Sequence, residues 1–160
     1  MSMPTFPDLL KNPILLLAFG FGSGLAKKAP GTWGTVAAVP LFLVFMLLEP
    51  SLPVFIVVTV VMFIAGVWIC DQAEKQLGLH DPGNIVWDEI VGYFVTMFML
   101  PVTWQWLLAG FVAFRFFDIL KPWPIKWADE RCQGGFGVMF DDVIAGIMAC
   151  SLLHLVWLML

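Results

Sequence analysis

The chain carries little charge for its length: 12% of its 160 residues are Asp, Glu, Lys or Arg, whereas 61% are hydrophobic. A water-soluble domain of this size could not cover so apolar a composition with polar surface. Eight Lys and Arg residues and a net charge of −4 also provide no basic patch of the kind that binds nucleic acid. We therefore expect an integral membrane protein, a single domain over residues 1–160 with the bilayer as its surroundings and no nucleic-acid partner.

Cysteine and histidine are scarce as well. Cys70, Cys132 and Cys150 form an odd set, and two of them lie inside apolar runs, so they do not suggest a disulfide framework or a thiolate metal site. The two histidines are isolated in the sequence. We interpret His154 as a packed or interfacial residue and His80 as part of a solvated turn. This scarcity argues against metal ligation by sulfur or imidazole and against a phosphohistidine intermediate.

Long apolar runs are what the chain does have, at residues 35–48, 53–70, 90–120 and 143–160. The third run is 31 residues long. As one helix it would extend roughly 46 Å, beyond a bilayer core of about 30 Å. Proline cannot continue the helical hydrogen-bond ladder, so we predict that the run turns back near Pro101. A single tilted helix kinked at Pro101 is the alternative.

The distribution of positive charge favours the turn. With five spans, all eight Lys and Arg residues fall on one side, which is the cytoplasmic side by the positive-inside rule. The short apolar stretch 14–25 is broken by glycine and is expected to form an interfacial or re-entrant helix. The predicted fold class is an all-α polytopic membrane helix bundle with about five spans, an inside N-terminus and every motif loop on the cytoplasmic side.

Two acidic pairs, Asp88–Glu89 and Asp141–Asp142, each precede an apolar run. Adjacent carboxylates repel one another, and at the edge of a hydrocarbon layer this repulsion is poorly screened, so each pair needs a counter-charge. Helix capping is the alternative, but it accounts for one acid per helix and not for two adjacent ones. A glycine follows each pair by about one helical turn, Gly92 and Gly146, where it would let another helix approach closely.

Two further segments carry cations. Arg115, Asp118 and Lys121 recur every three residues at the end of an apolar run, which predicts a cationic clamp for phosphate with a nearby carboxylate. A ladder of side chains reaching toward the interface is the alternative. Upstream, a glycine-rich segment contains Lys28 and Thr32; Thr32 or Thr35 could cap the next helix and present free N–H groups to an anion. That segment could equally be a plain membrane-entry turn.

The acids as a set predict a metal site. Carboxylates without histidine or cysteine are the ligands of Mg²⁺, or of Mn²⁺, with waters and substrate phosphate completing the coordination. Such a metal polarises a phosphoryl oxygen and helps to activate water. The residues concerned are Asp88, Glu89, Asp118, Asp141 and Asp142. We therefore expect metal-assisted hydrolysis of a phosphate ester.

Four ordered motifs, "APGTWGT", "VWDEIVGY", "FRFFDILKPWP" and "GGFGVMFDDVIAG", resemble those of the phosphatidylglycerophosphatase A family. The resemblance implies a Mg²⁺-dependent hydrolase of the bacterial inner membrane. It would release inorganic phosphate from phosphatidylglycerophosphate, a membrane phospholipid, on the path to phosphatidylglycerol and cardiolipin. It also implies that Asp88, Glu89, Asp141 and Asp142 are the acids of the metal site.

Within that resemblance we assign individual roles. The catalytic residues are predicted to be Asp88, Asp118 and Asp142, with Asp118 positioning the attacking water. The residues that contact the substrate phosphate are predicted to be Arg115, Lys121, Lys28 and Thr32.

Two other functions stay open at this point. A cation transporter also places acids near spans, although access from both sides would be expected. A lipid-alcohol phosphotransferase would likewise use Mg²⁺ and carboxylates. The sequence also leaves open whether copies of the chain associate into a homo-oligomer.

Overall fold

A computed structural model describes residues 3–79 and 82–160 of the chain, and His80 lies outside them. Every regular element in the described residues is helical, which confirms the all-α prediction. The elements in chain order are α1 (Phe6–Lys11), α2 (Pro13–Ala18), a 3-10 turn (Gly20–Leu25), α3 (Pro30–Met46), α4 (Leu52–Leu77), α5 (Trp87–Thr96), α6 (Trp104–Leu120), α7 (Ile125–Arg131) and α8 (Gly134–Met159).

Proline and glycine set several of the helix boundaries. Pro13 and Pro30 are the first residues of α2 and α3, a position where the missing N–H costs nothing and the fixed φ suits the helix. At the other end of a helix, Gly78 follows α4 with φ 64°, a left-handed conformation that glycine adopts without strain. The chain thus leaves α4 at a defined point shortly before the acidic start of α5.

The long apolar run is divided as predicted. α5 ends at Thr96 and α6 begins at Trp104, with Pro101 between them. This confirms the turn near Pro101, and the alternative of one helix kinked at that proline is wrong. Because the chain reverses here, the first turn of α5 and the last turn of α6 lie at the same end of the bundle, where Arg115 of α6 reaches Glu89 of α5.

Helix α8 packs against α4, α5, α6 and α7, and α5 also packs against α3. The closest approach of α5 and α8 occurs at glycine: a Cβ atom added to Gly146 would lie 2.6 Å from the carbonyl oxygen of Gly92. Any side chain at this crossing would push the two helices apart. The sequence-based expectation that Gly92 and Gly146 permit close helix packing is confirmed, and the two glycines meet each other.

The opposite end of the bundle has an aromatic core. Phe42 of α3 contacts Phe94 of α5 edge to face, with ring centroids 5.4 Å apart, and Phe55 of α4 lies against both. Such edge-to-face pairs stabilise beyond their buried area. This apolar core joins α3, α4 and α5.

Two of the described helices are long and apolar enough to cross a membrane by length and composition: α4, with a mean hydropathy of 2.7, and α8, with 1.9. Only 17% and 28% of their most apolar windows are buried, so much of their apolar surface faces outward. α3 is apolar but shorter. α5 has ten residues; at 1.5 Å per residue it is about 15 Å long, half of a bilayer core. The helix lengths therefore do not confirm all five predicted spans.

Candidate active site

The five acids predicted from the sequence come from three helices and converge on one cavity of about 150 Å³. α5 contributes Asp88 and Glu89 from its first turn, α6 contributes Asp118 from its last, and α8 contributes Asp141 and Asp142. Further residues on its wall are Lys121, Asp129, Cys132, Gln133, Gly134 and Gly137. The five acids singled out in the sequence thus lie together around a single space.

Three of these acids form a compact group. One carboxylate oxygen from each of Asp88, Glu89 and Asp142 can be chosen so that all three atoms lie within 4.8 Å of one another. Glu89 is 8% exposed and Asp142 is 3% exposed. Within the described part of the chain, each of the three also has a buried oxygen without a hydrogen-bond partner, namely Oδ1 of Asp88, Oε2 of Glu89 and Oδ2 of Asp142. Buried carboxylates this close together require a cation or protons to balance them.

The second acidic pair is not at the start of its helix. The sequence placed Asp141 and Asp142 at the mouth of an apolar helix beginning near residue 143, but α8 begins at Gly134 and has no acid in its first turn. The expectation of a helix start there is wrong, because the seven residues before the pair, Gly134–Phe140, are also helical. Capping therefore cannot explain this pair, whereas Asp88 and Glu89 do lie in the first turn of α5.

Arg115 supplies positive charge beside the three-acid group. Its guanidinium forms an ion pair with Asp118 one turn later on α6, and its Nη1 lies 3.6 Å from Oε1 of Glu89. The Arg115 side chain is 14% exposed. A buried arginine is costly unless paired, and here two carboxylates from two helices pair it. Arg115 thus links the end of α6 to the start of α5.

The glycine-rich motif enters the site through its backbone. A Cβ atom on Gly31 would collide with Oε1 of Glu89 and would lie 3.1 Å from Nη1 of Arg115. Only glycine therefore allows the first turn of α3 to lie against this ion pair. The sequence motif "APGTWGT" thus contributes a close backbone contact at Gly31, as its glycines predict.

The predicted capping role of the threonines is wrong. α3 begins at Pro30 with Ala29 as its N-cap, so Thr32 and Thr35 lie inside the helix. Thr35 donates its hydroxyl hydrogen bond to the carbonyl oxygen of Gly31, 3.0 Å away. Proline at the first helical position starts the helix earlier than the threonines would. Thr32 is half-buried and Lys28 is exposed, and neither lines the acidic cavity.

Lys121 joins α7 to α8 across the cavity. It follows α6 with φ 41°, and its Nζ donates to Oδ1 of Asp129 at 2.5 Å and to Oδ2 of Asp141 at 2.7 Å. Burial works against the charge of Lys121, but the hydrogen bonds to Asp129 and Asp141 and the charges of both carboxylates raise its pKa above the ordinary value. Lys121 therefore stays protonated, and Asp141 has a partner that Asp142 does not share.

Sequence reasoning missed Asp129 as part of this site. It lies in the short helix α7, eight residues after Lys121, and no spacing rule joins the two positions. The need of Lys121 for a partner was the available signal, but the sequence does not show which acid meets it. Of the histidines, His154 lies toward the C-terminal end of α8, with Nδ1 2.9 Å from the carbonyl oxygen of Cys150. It is far along the helix from the acids, as expected.

The chain is similar to known proteins over most of its length. The family described as phosphatidylglycerophosphatase A matches residues 16–157 of the chain. A phosphatidylglycerophosphatase A from Haemophilus influenzae is 49% identical over 141 residues, covering 88% of this chain and 86% of that protein. One from Escherichia coli is 44% identical over 148 residues, covering 92% and 85%.

A further relative, from Bacteroides thetaiotaomicron, is named for a phosphatidylinositol-3-phosphatase activity. It is 37% identical over 145 residues, covering 87% of this chain and 90% of that protein. No solved structure matches the chain.

Proposed function

This chain belongs to the phosphatidylglycerophosphatase A family, and from that premise we propose that it hydrolyses phosphatidylglycerophosphate to phosphatidylglycerol and inorganic phosphate. The observation that carries the proposal is the three-acid group, each member of which has a buried oxygen without a hydrogen-bond partner among the described residues. Lys121 lines the same cavity, and Arg115 lies beside Glu89, although it is not part of the cavity wall. Carboxylates with cations close by suit a phosphate ester and its counter-ion. The product would serve phosphatidylglycerol and cardiolipin synthesis.

We propose Mg²⁺ as the cofactor, with Mn²⁺ as a substitute. The residues present fit such an ion, because Asp88, Glu89 and Asp142 offer hard oxygen donors close together. Each of them has a buried oxygen that no residue in 3–79 or 82–160 hydrogen-bonds. Asp141 is also predicted as a metal residue. Its Oδ1 has no hydrogen-bond partner in the described residues, whereas its Oδ2 accepts a hydrogen bond from Lys121. When bound, the ion would neutralise phosphoryl charge and lower the pKa of water.

The chain's own residues would bind and orient the substrate. Arg115 and Lys121 would hold the non-bridging oxygens of the terminal phosphate, and burial strengthens both interactions. Lys28 and Thr32 remain predicted phosphate contacts at the start of α3. Water would attack phosphorus in line, the bond to the glycerol oxygen would break, and that oxygen would take up a proton. Asp118, on the cavity wall, would position the water and accept its proton.

We also propose a multi-pass location in the bacterial inner membrane, with α3, α4, α5, α6 and α8 as the five spans and the site facing the cytoplasm. Lys11, Lys27 and Lys28 precede α3, Lys75 lies in the last turn of α4, and Arg115 lies in the second half of α6. Lys121, Lys126 and Arg131 follow α6, so the positions of all eight Lys and Arg residues support one cytoplasmic end. The outward apolar residues of α4, such as Val57, Val61 and Ile64, support contact with lipid. Because α5 has only ten residues, it would cross the bilayer together with the segment around Pro101. Neighbouring helices would shield the backbone of that segment from lipid.

The test is phosphate release from phosphatidylglycerophosphate by the detergent-purified protein, with Mg²⁺, with Mn²⁺ and with a chelator. We expect release with either metal, phosphatidylglycerol as the lipid product, and loss of release with the chelator. A new phosphodiester product would instead support a phosphotransferase. Metal-dependent cation flux in vesicles without phosphate release would support a transporter and refute the hydrolase.

A further inference from the structure

An apolar groove runs between α3 and α6 on the outside of the bundle. Its cavity volume is about 380 Å³, and its walls are formed by Val36, Val39, Pro40, Leu107, Leu108 and Phe111. Pro40 lies inside α3, where it cannot donate a hydrogen bond to the carbonyl of Val36 and its ring crowds that carbonyl. Proline at this place favours a bend in α3, which would account for the space between the helices.

The groove leads to the candidate active site. On α6, Phe111 precedes Arg115 by four residues, one helical turn or about 6 Å along the same face. On α3, Val36 follows Gly31 by five residues, and the two helices meet where a Cβ on Gly31 would lie 3.1 Å from Nη1 of Arg115. The groove therefore ends about one helical turn from the guanidinium of Arg115, which is not itself a lining residue. Nε of Arg115 is buried and has no hydrogen-bond partner among the described residues.

A second apolar groove provides a contrast. It lies between α4 and α5, has a volume of about 170 Å³ and includes Ile56, Val60 and Val95. Val60 lies eleven residues before Asp71 on α4, and Val95 lies six residues after Glu89 on α5, so the groove approaches acids along both helices. An anionic amphiphile would find an arginine near the end of the first groove and carboxylates beyond the second.

We propose that the α3–α6 groove binds an acyl chain of the phospholipid substrate. The headgroup then passes Arg115 into the acidic cavity. This inference rests on the proposed lipid phosphatase function and deepens it by naming where the lipid tail binds. An apolar groove that ends near a partly unpaired, buried arginine complements a molecule with a hydrocarbon chain at one end and a phosphate at the other.

The experiment fills each groove and compares substrates of two chain lengths. Leu108→Trp fills the α3–α6 groove, and Val60→Trp fills the α4–α5 groove as the matched control; the two native side chains are similarly exposed, at 54% and 48%. Phosphate release is measured in detergent micelles containing Mg²⁺, with dipalmitoyl and with dihexanoyl phosphatidylglycerophosphate. The short-chain substrate reports whether the variant is folded and its catalytic residues are intact.

We expect Leu108→Trp to raise KM for the dipalmitoyl substrate about tenfold, the loss expected when roughly two methylene groups give up their apolar contacts. Its kcat and its activity on the dihexanoyl substrate should stay unchanged, and Val60→Trp should change neither. If Leu108→Trp loses activity on both substrates, Leu108→Phe takes its place. Its KM relative to the wild type is then compared between the dipalmitoyl and the dihexanoyl substrate.

An unchanged dipalmitoyl KM in Leu108→Trp, or an equal rise in Val60→Trp, would overturn the acyl-chain site while leaving the phosphatase function intact. Equal losses of activity on the dipalmitoyl and dihexanoyl substrates, in both Leu108→Trp and Leu108→Phe, would also overturn the acyl-chain site. Wild-type protein that releases no phosphate from either substrate would refute the proposed function, and the acyl-chain site with it.

Discussion

The two acidic pairs look alike in the sequence but occupy different parts of their helices. Asp88 and Glu89 lie in the first turn of α5, where the positive end of the helix dipole stabilises negative charge. Asp141 and Asp142 are the eighth and ninth residues of α8, two turns inside it, where that stabilisation has faded. The second pair therefore depends more on side chains or ions for its counter-charge.

Within the second pair the two residues also differ. Asp141 accepts a hydrogen bond from Lys121, whereas Oδ2 of Asp142 is buried and none of the residues that the structure describes hydrogen-bonds it. The carboxylate of Asp142 belongs to the three-acid group. The comparison teaches that adjacency in sequence does not mean equal roles. Asp142 is expected to be the acid most dependent on a bound cation, and five experiments test this ranking.

The largest effect is expected for Asp142→Asn. It removes one carboxylate of the three-acid group while preserving shape, and activity should fall about 10²–10³-fold, the range seen when one group that stabilises transition-state charge is lost. Phosphate release from phosphatidylglycerophosphate measures this. Glu49→Gln, which changes an acid between α3 and α4 at the opposite end of the bundle, is the control and should retain activity. Wild-type rates in Asp142→Asn would reduce this residue to a structural role.

Removal of the metal should have the next largest effect. An ion that binds only the folded protein stabilises it by about 2.7 kcal/mol at a hundredfold excess over Kd. This corresponds to a rise in Tm of roughly 5–10 °C for a chain of this size. Thermal unfolding in detergent with Mg²⁺ and with a chelator measures it. Asp142→Asn should lose most of this rise, and an identical rise in the variant would contradict a metal site at Asp142.

Glu89→Gln tests whether the first pair is more than a helix start. Glu89 contacts Arg115 and belongs to the three-acid group, so we expect activity to fall about 10–100-fold, the range for groups that position a metal site. Asp8→Asn is the matched control, because Asp8 also lies in the first turn of a helix, where it accepts a hydrogen bond from the backbone N–H of Thr5. Asp8→Asn should keep full activity. Equal rates in the two variants would mean that Glu89 acts only on the helix dipole.

Gly31→Ala should disturb the first pair through its neighbour. The added methyl group would collide with the carboxylate of Glu89, so the side chain or α3 must shift. We expect a stability loss of about 1–3 kcal/mol from overpacking. Activity should fall about tenfold, which is less than the roughly 10²-fold loss that a 1 Å displacement of an active-site group can cause. Gly83→Ala borders the same cavity, but its Cβ would meet nothing within 4 Å, and it should change neither quantity.

The smallest effect is expected for Asp129→Asn, which affects the second pair through Lys121. Lys121 would keep its ion pair with Asp141 but lose the one with Asp129 on α7. Because the Lys121–Asp129 pair is partly exposed, kcat/KM should fall less than about fivefold, through KM more than through kcat. Steady-state kinetics separate the two constants. Glu130→Gln is the control, since Glu130 pairs with Lys126 at 3.8 Å. A kcat loss as large as that of Asp142→Asn would reverse the ranking.

Much of the fold could be predicted from local patterns. The turn near Pro101 followed from the length of the apolar run and the chemistry of proline, and the close helix crossing followed from Gly92 and Gly146. The start of α8 could not, because its "GGFG" segment has low intrinsic helix propensity. Tertiary packing decides it: at Gly135, α8 lies so close to the backbone of α4 at Val67 that a side chain would collide. A rule based on propensity treats these glycines as loop residues.

The sequence by itself determined a helical, apolar chain with its acids and cations gathered in three segments that meet at one end, since composition, charge and proline act locally. The tertiary structure alone decided which acids meet. It joined Asp88 and Glu89 to Asp142, gave Asp141 to Lys121 and brought Gly31 against Glu89. These contacts link helices distant in sequence and depend on how each helix is rotated about its axis, which many weak packing contacts set together.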